Sequence, residues 1–206
     1  MSNSRILAGV AATLGVGAIA VFALVSNGVH TDALAQAEDT DGPNLVIEVG
    51  GATTGTIVID LRPDVAPNHV AQIVALAGAG AYDNVMFHRV ITGFMAQTGD
   101  VEFGKVGSDV TLAGRGGSQL PDIAAEFSSL PFDAGVVGMA RSNDPNSANS
   151  QFFITFAPAP HLNGQYTVVG AVIEGMDVIN ALRKGDDAQN GLVGEPDFMA
   201  KVTVRD

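Results

Sequence analysis

Apolar and polar residues alternate along Leu45–Val49, a turn comes next at Gly50-Gly51-Ala52-Thr53-Thr54-Gly55, and Thr56–Leu61 alternates again. Period-two patterning on both sides of a glycine-rich turn predicts a β-hairpin. Over Ala66–Ala77 the period changes: Val70, Ile73, Val74 and Ala77 recur at helical spacing, with Asp64 or Pro67 at the start and Gly78 and Gly80 at the end. This predicts an amphipathic helix. Short runs rich in aromatic and β-branched residues predict strands at Val85–Val90, Phe94–Thr98, Val136–Ala140, Phe152–Phe156, Thr167–Ile173 and Ala200–Val204, with a second helix at Met176–Leu182. Between Gly99 and Pro131 glycine and small polar residues dominate, so a long irregular excursion is expected there, and loops of that length usually serve function. About eight short antiparallel strands need a way to hide their edges, and closure into a barrel does so, with the two helices covering its ends.

The start of the chain has a different pattern. Ile6–Val25 is an uncharged apolar run preceded by Arg5, with no further basic residue before Arg62. About 20 helical residues span a bilayer core, and the charge asymmetry places the chain beyond Val25 outside the cytoplasmic membrane. Ala33-Leu34-Ala35 and Ala35-Gln36-Ala37 both fit a small-x-small cleavage pattern. Two readings stay open: residues 1–35 form a cleaved signal peptide, or 6–25 remain as a single-span anchor. Residues 36–44 are polar and acidic and read as a linker, leaving 45–206 as one domain. The expected location is periplasmic, and any membrane contact runs through 6–25.

Composition narrows the chemistry. The chain has 206 residues, a formal net charge of −12, no cysteine and scattered basic residues. Phosphate backbones repel such a protein, so nucleic acid is excluded as a partner. Disulfides, thiolate catalysis and Cys-based zinc sites are excluded as well. His30, His69, His88 and His161 lack metal-ligand spacing, and neither a Gly-x-Ser-x-Gly elbow nor a phosphate loop is present. No cofactor or metal is expected.

Several unusual residues remain. His88-Arg89 interrupts an apolar strand, Phe94-Met95-Ala96-Gln97 comes soon after, and much later come Asn149-Ser150-Gln151-Phe152-Phe153 and His161-Leu162-Asn163-Gly164. The segments FHRVITGFMAQTGD (Phe87–Asp100) and GMARSNDPNSANSQFF (Gly138–Phe153) resemble the two signature segments of the cyclophilin-type peptidyl-prolyl cis-trans isomerases, and the likeness extends from about Leu45 to Asp206. The resemblance implies a mainly β fold, a closed eight-stranded antiparallel barrel capped by two helices, with an active site on its outer face. It implies rotation about Xaa-Pro bonds in unfolded or exported polypeptides. By position, Arg89 matches the catalytic arginine and Gln97 the residue that holds it. Phe94, Met95, Phe153 and Leu162 match the proline pocket, and Ala140, Arg141 and Gln151 the grip on the substrate backbone. His88 is expected in the same groove.

Three positions depart from the best-known eukaryotic pattern. His161 stands in place of a tryptophan that contacts cyclosporin, so cyclosporin binding is expected to be weak. Arg141 stands for an asparagine, and Tyr166 for a histidine at the pocket rim. A monomer is expected.

Overall fold

The structure is a computed structural model that describes residues 37–206. The apolar run 6–25 and both cleavage patterns' first residues lie outside the described residues. Among the described residues, no helix is long and apolar enough to cross a membrane.

The predicted hairpin forms from β1 (Asn44–Gly50) and β2 (Gly55–Leu61), paired antiparallel with Leu45 opposite Ile59 and Ile47 opposite Ile57. Because side chains alternate across a strand, Leu45, Ile47, Val49, Ile57, Ile59 and Leu61 all enter one buried cluster. Seven further strands complete the set: β3 (Val85–Met86), β4 (Arg89–Ile91), β5 (Met95–Thr98), β6 (Val136–Met139), β7 (Phe152–Thr155), β8 (Val168–Glu174) and β9 (Phe198–Arg205). They join one antiparallel sheet in the order β3-β9-β1-β2-β8-β6-β7-β5-β4.

The closed eight-stranded barrel is therefore corrected to a curled nine-stranded sheet. Its two end strands, β3 and β4, are consecutive in the chain and separated only by Phe87 and His88. The sheet's ends thus meet through covalent chain and not through a ladder. Loops explain the break in the expected strand Val85–Val90. The amides of Met86 and Phe87 donate to the carbonyls of Gly104 and Asp197, the His88 carbonyl accepts from Val193, and Val90 donates to Gly191. With those backbone groups satisfied by loops, no strand pairing is needed there.

The first helix, α1 (Pro67–Gly78), buries Val70, Ile73, Leu76 and Ala77 in the main cluster. Proline at its first position suits a helix start, and Ala66 offers no capping side chain. Glu126, from the long excursion, supplies the cap: it accepts from the amides of Asn68 at 3.2 Å and His69 at 3.1 Å, and lies 2.6 Å from His69 Nδ1. Burial pushes the Glu126 carboxyl up, but these hydrogen bonds together hold it below the usual carboxylate range. The second helix, α2 (Met176–Ala181), buries Met176 and Ile179. The excursion from Gly99 to Pro131 contains no strand or helix, in agreement with its composition.

Candidate active site

Strand parity builds the site. On β4, β5 and β7, Val90, Ala96, Phe152 and Ile154 belong to the main cluster beneath the sheet. Their alternating neighbours must point the opposite way. Met95 and Phe153 accordingly enter a second apolar cluster with Phe132, Ala159, Leu162 and Val168, against which Phe94, Ala140 and Tyr166 pack. The register places Arg89 opposite Gln97, Gln97 opposite Phe153, and Phe153 opposite Gly138 on β6. One cross-strand row thus carries a guanidinium, an amide, an aromatic ring and a glycine. The missing side chain at Gly138 makes room for aromatic rings, because a Cβ there would come within 2.6 Å of both Phe132 and Phe153. Those rings stack with centroids 5.7 Å apart.

A cleft with a volume of about 180 Å³ opens over this row, lined by Arg89, Phe94, Met95, Gln97, Ala140, Arg141, Phe153, Leu162 and Tyr166. It lies below the roughly 300–1,000 Å³ typical of drug-sized ligands, so it suits one ring-sized side chain. Leu162 arrives on a single 3-10 turn, Pro160–Leu162. Tyr166 meets the Phe153 ring edge-on, and the Arg141 guanidinium lies 4.3 Å from the centre of the Tyr166 ring. Arg141 also donates to the carbonyls of Ser142 and Gln165 at 2.8 and 3.0 Å.

The guanidinium of Arg89 is held on two sides. Nη1 donates to Gln97 Oε1 at 3.1 Å, Nε donates to the Asn190 carbonyl at 3.0 Å, and Nη2 donates to Asn190 Oδ1 at 3.0 Å. Partial burial lowers the arginine's pKa from its ordinary value, yet an arginine stays charged at any physiological pH. Nη1 also makes a weak 3.8 Å contact to Met95 Sδ; all four acceptors are neutral, so net positive charge and at least one free N–H of the five remain. Gln97 is oriented in turn: its Nε2 donates to Gln151 Oε1 at 2.9 Å, and Gln151 Nε2 donates to the Gly116 carbonyl at 2.7 Å. Arg89 is thereby tied through two amides to the long excursion.

Three expected residues sit elsewhere. His88 does not line this cleft; it is 2% exposed, borders a neighbouring hollow that Arg89 and Gln97 also line, and both ring nitrogens lack hydrogen-bond partners. Parity explains this, since the residue beside an outward-facing Arg89 turns inward. Burial lowers its pKa to about 4, so it is uncharged at neutral pH. Gln151 lines an adjacent second cleft instead of the first. His161 lies outside the cleft lining, its ring 5.3 Å from that of Phe94.

Sequence reasoning missed Asn190, which lies 101 positions from Arg89. The Asn190-Gly191 pair is a turn signal, and Asn190 does adopt a left-handed backbone (φ 55°). Nothing local indicates that the turn reaches Arg89. Asp100 was missed as well: fully buried, it accepts from the amides of Glu102, Phe103, Gly114 and Gly116 and so anchors the excursion beside the cleft.

Comparison with known proteins agrees with this geometry. Residues 45–204 match the family model described as cyclophilin type peptidyl-prolyl cis-trans isomerase/CLD. A probable peptidyl-prolyl cis-trans isomerase of Brucella suis is 59% identical over 152 residues, covering 73% of this chain and 78% of that one. Among solved structures, a cyclophilin of Hirschia baltica superposes with a TM-score of 0.64 at 28% identity, covering 78% of this chain and 73% of that one. A cyclophilin type isomerase of Cryptosporidium parvum, crystallised in the presence of the dipeptide Ala-Pro, gives a TM-score of 0.66 at 26% identity, covering 79% and 99%. A curled antiparallel sheet with two helices, a ring-sized apolar cleft beside a fixed guanidinium, and a family match across the whole domain agree: this chain belongs to the cyclophilin-type peptidyl-prolyl cis-trans isomerases.

Proposed function

We propose that Arg89 catalyses rotation about Xaa-Pro bonds by stabilising the twisted amide, with the substrate proline seated in the cleft of Phe94, Met95, Phe153 and Leu162. The observation that carries this reading is the guanidinium fixed by Gln97 and Asn190 at the wall of that cleft. Amide resonance sets a barrier of about 18–20 kcal/mol, and no bond is made or broken. The enzyme has only to bind the twisted form better than either planar form. In the twisted amide the proline nitrogen recovers its lone pair, to which a free N–H of Arg89 donates. An apolar pocket shields that contact from water and strengthens it, and a donor already held in place needs no reorganisation during the reaction. The related Cryptosporidium enzyme, studied in the presence of Ala-Pro, supports proline as the group recognised.

In this reading Asn190 is a positioning residue. Asn190→Ala removes one hydrogen bond to a charged group, a loss of about 1.5 kcal/mol or roughly tenfold in rate, while the backbone contact to Nε persists. The expected result in a protease-free isomerisation assay is a fall in kcat with KM held within about twofold. Asn190→Asp keeps an acceptor and tolerates the left-handed backbone, so it retains most of the turnover. Unchanged kcat in the alanine variant contradicts the role.

The reaction takes place outside the cytoplasmic membrane, on exported polypeptides. This part of the proposal rests on the apolar run Ile6–Val25 and the charge asymmetry around it. A mass measurement on the protein isolated from its native cell, with fractionation, checks it. Recovery of the uncleaved chain from the cytosol contradicts export.

A further inference from the structure

The protein carries a net charge of −12, yet Arg89, Arg115 and Arg141 converge on the groove. Arg115 and Arg141 line the second cleft, of about 220 Å³, which Gln97, Ala140 and Arg141 share with the proline cleft. No aspartate or glutamate lines either cleft. Nor is any of these three arginines among the ion pairs of the described residues, whereas Arg62, Arg183 and Lys201 each have a carboxylate partner.

The neutral polar groups of the second cleft are already occupied. Ser142 and Ser147 hydrogen-bond to each other at 2.7 Å, Asn149 is held by Ser118 and Leu120, and Gln151 by Gln97 and Gly116. Of the carboxylates nearby, Asp100 is buried beneath Gly114 and Gly116 on four amides, Glu102 lies 3.5 Å from the Gly117 amide, and Asp144 accepts from the Asn146 amide. None of them, nor Asp109 or Asp122, forms an ion pair with Arg115 or Arg141. Asp109 accepts from the hydroxyl and amide of Thr111, which with a smaller contribution from the charge of Arg115 hold it below the usual carboxylate range, and Asp122 accepts from Asn149. The exposed Arg115 side chain has no hydrogen-bond partner among the described residues, and Arg141 meets only carbonyls and the Tyr166 ring. The cleft therefore offers guanidinium groups that have no ion-pair partner among the described residues to whatever lies beside the bound proline.

Building on the isomerase reading, we infer that the second cleft selects substrates bearing an acidic side chain within a few residues of the proline, with Arg115 as the main determinant. A carboxylate finds there the charge-assisted donors that the neutral groups can no longer provide.

The test uses blocked peptides containing one Ala-Pro bond, identical except for Glu or Gln placed one, two or three residues from the proline on either side. For one placement, kcat/KM for the Glu peptide is expected to exceed that for its Gln isostere by about fivefold, the upper range for a partly exposed ion pair. The gain falls below about twofold in roughly 0.5 M salt, where such pairs are screened. It is lost in Arg115→Gln and largely kept in Arg115→Lys, a comparison made as a ratio within each variant. A Glu-to-Gln ratio near one at every placement, or a gain unaltered in Arg115→Gln, overturns the inference. Turnover of the Gln series with no gain from Glu leaves the isomerase reading standing; no turnover of any peptide removes both.

Discussion

Arg89→Ala is expected to lower kcat/KM on an Ala-Pro peptide by about 10²–10³-fold, the usual cost of deleting a donor aimed at developing charge in a sheltered site. The apolar walls remain, so peptide affinity changes far less than turnover. Stability is largely spared: the side chain is only partly buried, and it bonds to groups on the rim of an open groove that water can reach. Arg89→Lys rescues little, because an ammonium cannot reproduce a planar fork that meets Gln97 and Asn190 at once. Exchange measurements by NMR on a proline peptide, with no coupled protease, give the rate, and a thermal melt checks the fold. Near wild-type turnover in Arg89→Ala would mean that rotation is catalysed elsewhere.

Asp100→Ala is expected to be the most damaging change outside the cleft, costing about 4 kcal/mol of stability. The carboxylate is fully buried and accepts from four backbone amides, two on each oxygen. Each hydrogen bond to a charged acceptor is worth about 1.5–3 kcal/mol, though the four are not independent, and its removal leaves buried donors without partners. Activity falls too, because the Gly116 amide is held by Asp100 and its carbonyl orients Gln151, which orients Gln97 and hence Arg89. Asp100→Asn keeps an acceptor oxygen but brings an amide nitrogen against amide donors, so it is expected to fall between wild type and alanine. Chemical denaturation measures the stability, and kcat at a temperature where the variant is folded measures the coupling. An unfolding free energy within about 1 kcal/mol of wild type for Asp100→Ala would show that the excursion does not depend on this anchor.

Strands and helices are readable because their causes are local. The alternation in Leu45–Val49 matches the burial of β1, whereas Ile57–Leu61 of β2 are buried on both faces although the sequence alternates there too; the register pairs Leu45 with Ile59 and Ile47 with Ile57 on the core side. Parity also makes Arg89, Met95, Gln97 and Phe153 one face of three neighbouring strands, so the constellation is legible once those strands are paired. The reading fails where long-range partners decide. The run Val85–Val90 has the composition of a continuous strand, but Gly104, Gly191, Val193 and Asp197 take its hydrogen bonds and split it. Adjacency in sequence suggests that His88 shares the groove with Arg89, although adjacency in a strand means opposite faces. The apolar face of α1 is legible in its spacing, but not that Glu126 caps its first turn from the long excursion.

By itself the sequence determined the family and most of the order of strands and helices, because these depend on side-chain period and on motifs contiguous in the chain. Tertiary structure alone decided that Asn190 holds the arginine from the far side, that Asp100 organises the excursion, and that three guanidinium groups share one groove in an acidic protein. The physical reason is reach. Periodicity expresses how a residue relates to its neighbours in the chain, whereas a hydrogen bond across 101 positions exists only after the sheet has curled and brought its ends together.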